Sequence, residues 1–169
     1  MNFIDGILLE IDNMSASEII ESIATKIYSE PIERRELTKY PQFVQDIIFI
    51  IDLDTELTMN GMFGFIENST VEYIDETISA LKRISADSDA NILQNIKHLI
   101  NPKQLRKDMC VLETYAITSF KEIHNISDDV IDKIKALAKQ MYIYNDFDIW
   151  SLLEQYVTQA KVISNDNNR

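Results

Sequence analysis

Apolar positions are densest between Pro41 and Ser69, in the stretch PQFVQDIIFIIDLDTELTMNGMFGFIENS. Phe43, Val44, Ile47, Ile48, Phe49, Ile50, Ile51, Leu53 and Leu57 crowd its first half, interrupted only by Gln42, Gln45, Asp46, Asp52, Asp54, Thr55 and Glu56. Pro41 suits the first turn of a helix, where a missing N–H costs nothing. A helix that is apolar around most of its circumference needs neighbours on several sides. The pattern therefore predicts a buried central helix. Asn60-Gly61 and Gly64 are turn and helix-ending residues, and Phe63, Phe65 and Ile66 follow at once, so the turn should be tucked into the core.

The flanking sequence repeats the helical period of three to four residues. Phe3, Ile4, Ile7, Leu8 and Ile11 suggest a short helix lying on the body. Ser15-x-x-Glu18 is a capping box, followed by Ile19, Ile20, Ile23 and Ile27. The segment IERRELTKY, with Arg34, Arg35 and Lys39 beside Glu33 and Glu36, reads as a solvated turn of helix. Ser69-x-x-Glu72 is a second capping-box pattern before Val71, Ile74, Ile78 and Leu81. There Glu72, Asp75 and Glu76 at the start, and Lys82 and Arg83 at the end, match the helix dipole. After a break at Ser85–Asp89 come Ile92, Leu93, Ile96, Leu99 and Ile100, then, beyond Pro102, Leu105, Met109, Leu112, Tyr115 and Ala116. Ser127-Asp128-Asp129 starts a further helix through Ile131, Ile134, Leu137, Ala138 and Met141. The last helix carries Ile149, Trp150, Leu152, Leu153, Tyr156, Val157 and Ala160. These elements predict an all-α, single-domain bundle of about seven or eight helices around the buried central one. The domain is read over 1–163, with 164–169 a frayed tail.

Composition agrees with that architecture. The chain has 169 residues, 46% of them hydrophobic, with only three glycines and three prolines. Scarce turn residues favour long helices and short connections. Acids outnumber bases by 28 to 16, a net charge of −12, which disfavours direct binding to nucleic acid or an anionic membrane and steers toward a basic partner. Cys110 is the single cysteine, so neither a disulfide framework nor a thiolate metal cage is expected. The first dozen residues lack the basic start of a secretory signal. The run IIFIID falls far short of the ~20 residues a membrane span requires. The expected compartment is the cytoplasm.

Little in the chain resembles reaction chemistry. His98 and His124 lack carboxylates or cysteines at ligand spacing, and Cys110 sits in an amphipathic pattern with no activating base. Asp52-x-Asp54-x-Glu56 evokes a calcium loop, but the sixth position, which needs glycine, is Leu57. No phosphate-cradling loop is present. No catalytic residue, metal or cofactor is expected, and the chain reads as a non-enzyme.

Charge distribution is more informative. From Tyr40 through Leu81 there is no lysine or arginine, while the segment Met1–Thr25 is also free of bases. Bases gather elsewhere, notably at Lys97, Lys103, Arg106 and Lys107. If the acidic segments adjoin, one face becomes a field of carboxylates. Duplex DNA carries a charge every ~1.7 Å of axis, so such a face could occupy a DNA-binding groove. The residues chosen as phosphate surrogates are Asp46, Asp52, Glu56, Glu67, Glu72, Asp75 and Glu76. Asp54 falls nearer the Ile47, Ile50 and Leu57 side. The plainer alternative is a solvated acidic surface that serves solubility.

At Asn60-Gly61-Met62-Phe63-Gly64-Phe65-Ile66-Glu67-Asn68-Ser69 the sequence resembles a bacterial, DNA-mimic-like family of small acidic all-helical proteins. In that family a hydrophobic helix ends in Asn-Gly-Gly-Phe, then an aromatic, then Asn-Ser or Asn-Gly. Asn60, Gly61, Phe63, Phe65 or Ile66, and Asn68 match, whereas Met62 replaces the second glycine. Similarity continues through Glu72, Ala80, Leu81 and Ile84, and again where Asp146 and Asp148 precede Leu152-Leu153-Glu154-Gln155-Tyr156-Val157. The resemblance implies an all-α fold and, for one branch, inhibition of a DNA-binding protein by carboxylate mimicry of phosphate. The turn motif itself reads as structural, with Asn60 and Asn68 as capping and turn residues.

The leading reading is an acidic interaction protein, monomer or homodimer, that occupies the basic surface of a DNA-binding protein without touching nucleic acid or membrane. An alternative is an immunity or antitoxin-like protein neutralising a toxin such as a nuclease. A second alternative, an enzyme with an unrecognised carboxylate site, requires a deep pocket holding a carboxylate perturbed by burial.

Overall fold

The apolar run of the sequence forms the longest of the described helices, and four others pack against it. The computed structural model describes residues 2–30, 32–100, 127–145 and 147–166. Its α-helices are α1 (Phe3–Glu10), α2 (Ala16–Lys26), α3 (Gln42–Glu67), α4 (Ile74–Arg83), α5 (Asp87–Ile100), α6 (Asp128–Ala138) and α7 (Ile149–Asp166). Short 3-10 turns occupy Ile11–Asn13, Arg34–Lys39, Ser69–Tyr73 and Tyr142–Tyr144, and no strand occurs among the described residues. The all-α prediction is borne out. The helix predicted beyond Pro102, with Lys103, Arg106, Lys107, Cys110 and His124, lies outside the described residues, as does Asp146. Helix α7 continues to Asp166, into the stretch read as a tail.

Helix α3 packs against α2, α4, α6 and α7. Val44, Ile47, Ile48, Ile50 and Leu53 point in different directions around its axis, yet none retains exposed surface. Each such side chain contributes about 1.5–3 kcal/mol by leaving water, which makes α3 the centre of the core. The outer helices are two-faced. In α4, Ile74, Ile78 and Leu81 are buried while Asp75, Glu76 and Lys82 face solvent. Helix α4 also packs on α5, and α5 on α6, whereas α1 lies on α2, and α2 on α7.

Local signals explain most helix starts. Ser15 Oγ accepts from the Glu18 N–H at 3.2 Å while Glu18 accepts from the Ser15 N–H at 2.7 Å, the reciprocal capping box. Asn2 and Asp5 form a second box that the sequence reading did not anticipate. Ser127 caps α6 through the Val130 N–H. The predicted box at Ser69 and Glu72 does not form. Ser69 already lies inside the 3-10 turn, the cap position falls on Asn68, and α4 begins only at Ile74.

The glycine turn bends α3 rather than ending it. Gly61 takes φ 68° and ψ −171°, and helical structure resumes as far as Glu67. An L side chain is strained at that φ. Gly64 answers a different need: a Cβ there would lie 2.0 Å from the Asn60 Cβ. Met62 keeps a negative φ, so the backbone does not require the family's second glycine, and its side chain is 3% exposed. Phe65 and Ile66 are fully buried and Phe63 partly so, which seats the turn in the core.

Candidate partner-binding face

The aspartates of α3 turn inward. Asp46, which retains no exposed surface, receives Arg83 Nε at 2.7 Å and Arg83 Nη2 at 2.6 Å. Tyr156 Oη donates to it at 2.6 Å and Gln42 Nε2 at 3.0 Å. Asp52, 6% exposed, receives Arg34 Nε at 2.6 Å and Arg34 Nη2 at 2.7 Å, with Tyr28 Oη at 3.2 Å. Arg34 also donates to the Ile32 carbonyl at 2.8 Å. These are bidentate, charge-assisted pairs, the geometry in which an arginine most completely satisfies a carboxylate. Asp54 accepts from Tyr142 Oη at 2.7 Å.

Two of the predicted surface charges are thereby corrected. Asp46 and Asp52 are buried and neutralised, because Arg83 and Arg34 lie just outside the base-free interval in sequence and fold back onto it. Arg34 is consequently not part of a solvated turn. The hydrogen bonds and charge of Asp46 raise the Arg83 guanidinium above its usual value against the pull of burial. Burial lowers Arg34, but Asp52 outweighs it and the net shift is upward. Burial, then the charge of Asp52, push the Tyr28 hydroxyl up to about 12, against its hydrogen bond to Thr55. Burial and Asp46 likewise push Tyr156 up.

Beside the Arg34–Asp52 pair opens a cavity of about 370 Å³ whose lining includes Tyr28, Thr55, Glu56, Ser69, Thr70 and Glu72. It brings Glu56 of α3 and Glu72 of the 3-10 turn to one opening. Glu56 is oriented by two amides: Asn60 Nδ2 donates to its Oε2 at 3.2 Å and Asn68 Nδ2 to the same oxygen at 2.7 Å. This corrects the reading of Asn60 and Asn68 as capping side chains. Asn68 holds the cap position between α3 and the Ser69–Tyr73 turn but makes no side-chain cap bond there.

Glu67, Glu72, Asp75 and Glu76 occupy the next stretch, all exposed. Asp75 is bridged by Lys97 from α5. Among the described residues Glu56, Glu67 and Glu76 make no ion pair with a lysine or arginine. Desolvation by its surroundings raises the Glu67 carboxyl. Asp75 and Glu76 stand in the first turn of α4, where the dipole favours negative charge.

A separate buried carboxylate, the feature that the enzyme alternative requires, was not singled out in the sequence. Asp89, 2% exposed, accepts from the Tyr142 backbone N–H at 2.8 Å. Burial pushes it up, partly opposed by that bond. It borders a cavity of about 300 Å³ with Ser88, Lys139, Gln140, Tyr142, Asn145 and Phe147. Its place in the first turn of α5 was the available signal, but nothing in the sequence reveals that Tyr142 comes to it. Among the described residues no group of three His, Cys, Asp or Glu side chains is placed to hold a metal ion. No helix of the described residues is long and apolar enough to cross a membrane.

An all-helical bundle with exposed carboxylates on and after a bend of its central helix defines the class: a small acidic all-α protein. A family model matches residues 38–160, and the chain belongs to the DMP19-like protein family. The matched stretch takes in α3, the glycine turn and α4, so the resemblance to a DNA-mimic-like family at Asn60–Asn68 is borne out. No curated protein and no solved structure matches the chain.

Proposed function

We propose that the protein is a non-enzymatic DNA mimic, with Glu56, Glu67, Glu72, Asp75 and Glu76 standing in for phosphates on the basic surface of a DNA-binding protein. Membership of the DMP19-like family carries this reading, and the charge distribution supports it. After Asp46 and Asp52 are removed, the remaining carboxylates still fall on Glu56 and on the continuous stretch 67–76. The Lys97 bridge to Asp75 is a surface pair, worth ~0–1 kcal/mol, which a partner's cation can displace. Glutamates on helices and turns offer two oxygens each, as phosphates do, and accept from arginine in the same forked geometry.

The test uses the immobilised protein and the fraction of a bacterial lysate that heparin retains, which is enriched in DNA-binding proteins. Retention should fall steeply with ionic strength, because exposed charges are screened over about 8 Å at physiological salt. Duplex DNA should compete for the retained protein. A flat salt response, or retention indifferent to DNA, removes the proposal.

A further inference from the structure

Asn60 and Asn68 lie on either side of the bend in α3, and their amides meet on one atom, Oε2 of Glu56. Asn60 is one helical turn from Glu56, but Asn68 reaches back twelve positions. The chain between them permits this return: Gly61 supplies the left-handed φ, and Gly64 leaves the space that the Asn60 side chain fills. Asn68 holds the cap position of the turn it begins, yet its side chain makes no cap bond there and goes to Glu56 instead.

The contrast with Asp52, which borders the same cavity, is informative. Asp52 is held by an arginine and its charge is cancelled. Glu56 is held by two neutral donors, so its orientation is fixed while its charge is kept. Both amides sit on Oε2, which leaves Oε1 without a cation or amide among the described residues. A glutamate free to rotate loses rotamer entropy when a partner immobilises it. One already oriented has met most of that cost on folding.

We infer that Asn60 and Asn68 are positioning residues that aim the Glu56 carboxylate at a guanidinium or ammonium group of the basic partner. The inference rests on the DNA-mimic reading and makes the turn motif part of the binding face. It separates Glu56 from Glu67 and Glu76, whose carboxylates accept no hydrogen bond among the described residues.

The discriminating variant is Asn68→Asp, nearly isosteric and one charge more negative. A face acting only through its field would bind the heparin-retained fraction as well or better. If Asn68 positions Glu56, the lost donor and the new repulsion weaken retention at physiological salt on the order of fivefold to tenfold. Glu56→Gln should show a comparable loss, and adding Asn68→Ala to Glu56→Gln should cause little more. In the wild type, the Asn60 and Asn68 side-chain amide NMR signals should shift on Glu56→Gln, a readout independent of any partner. Unchanged or tighter retention of the folded Asn68→Asp variant, additive losses, or unresponsive amide signals overturn the inference and leave the mimic reading standing. Wild-type retention that DNA does not compete overturns both. If Asn68→Asp fails to fold, Asn68→Ala and the amide signals decide.

Discussion

Arg83 reaches from the last turn of α4 to Asp46 near the start of α3 and closes two hydrogen bonds on it, at 2.7 and 2.6 Å. The aspartate has no exposed surface, whereas about a third of the arginine side chain remains exposed. The two ends of the pair are therefore unequal. Removing the arginine strands a charge with nowhere to go, and Arg83→Ala should lower unfolding stability by about 3–5 kcal/mol. Arg83→Lys should recover only part of this, since an ammonium cannot bond both oxygens in the fork geometry. Urea denaturation of the pair of variants checks the order.

Tyr142 ties two helices at once, through its N–H to Asp89 and its hydroxyl to Asp54. Tyr142→Phe should cost about 1–2 kcal/mol by leaving Asp54 without that donor. Asp89 supplies a pH signature. Its carboxyl is raised in the folded protein, so its contribution to stability is fully present below the ordinary aspartate range and is lost as pH rises through the folded value. Asp89→Asn cannot titrate and retains an oxygen for the Tyr142 N–H. The stability of this variant relative to wild type should therefore increase between pH 3 and pH 7, as measured by denaturation at several pH values.

The two glycines of the bend should respond for different reasons. Gly61→Ala forces a side chain into φ 68° and ψ −171°, a region essentially confined to glycine, and should cost about 1–3 kcal/mol. Gly64→Ala drives a methyl into the Asn60 Cβ and should cost more, since backbone must move. Met62→Gly, which matches the family pattern, should destabilise by about 2–5 kcal/mol because it empties a buried site whose backbone needs no glycine. Thermal melts of the three variants test the ranking.

Charge reversal separates field from fold. Glu67→Lys alters an exposed position and should change stability by no more than about 0.5 kcal/mol, Glu76→Lys reverses a charge that the α4 dipole favours and should cost about 0.5–1 kcal/mol, and each weakens retention of the heparin-bound fraction. Asp52→Asn should do the opposite, destabilising the protein with little effect on retention beyond any loss of fold. Equal retention by wild type and the double Glu67→Lys, Glu76→Lys variant would count against the acidic face.

The helical architecture was legible because its signals are local. Ile47, Ile48 and Ile50 announce a helix covered on all sides, and Ser15 and Glu18 announce a start, whereas Gly61 reads as an end where the helix only bends. The site was legible only in part. Counting bases along the chain missed Arg34 and Arg83, which return from beyond the ends of the acidic interval. The clue lay in Asp46 and Asp52 themselves: each sits in the most apolar run of the protein, where a carboxylate persists only with a partner. Asn60 and Asn68 looked like turn residues because their types suit turns. That both would serve Glu56 depends on a backbone path twelve residues long, and no periodicity encodes it.

A rod greasy on every side has a weakness, since sliding along its neighbours by one turn would leave nearly the same oil-like contacts. Asp46 and Asp52 make such a shift expensive. Displaced by about 5.4 Å, neither could meet its guanidinium, and both would face hydrocarbon as bare anions. The cost of burying them thus sets the alignment of the helix stack.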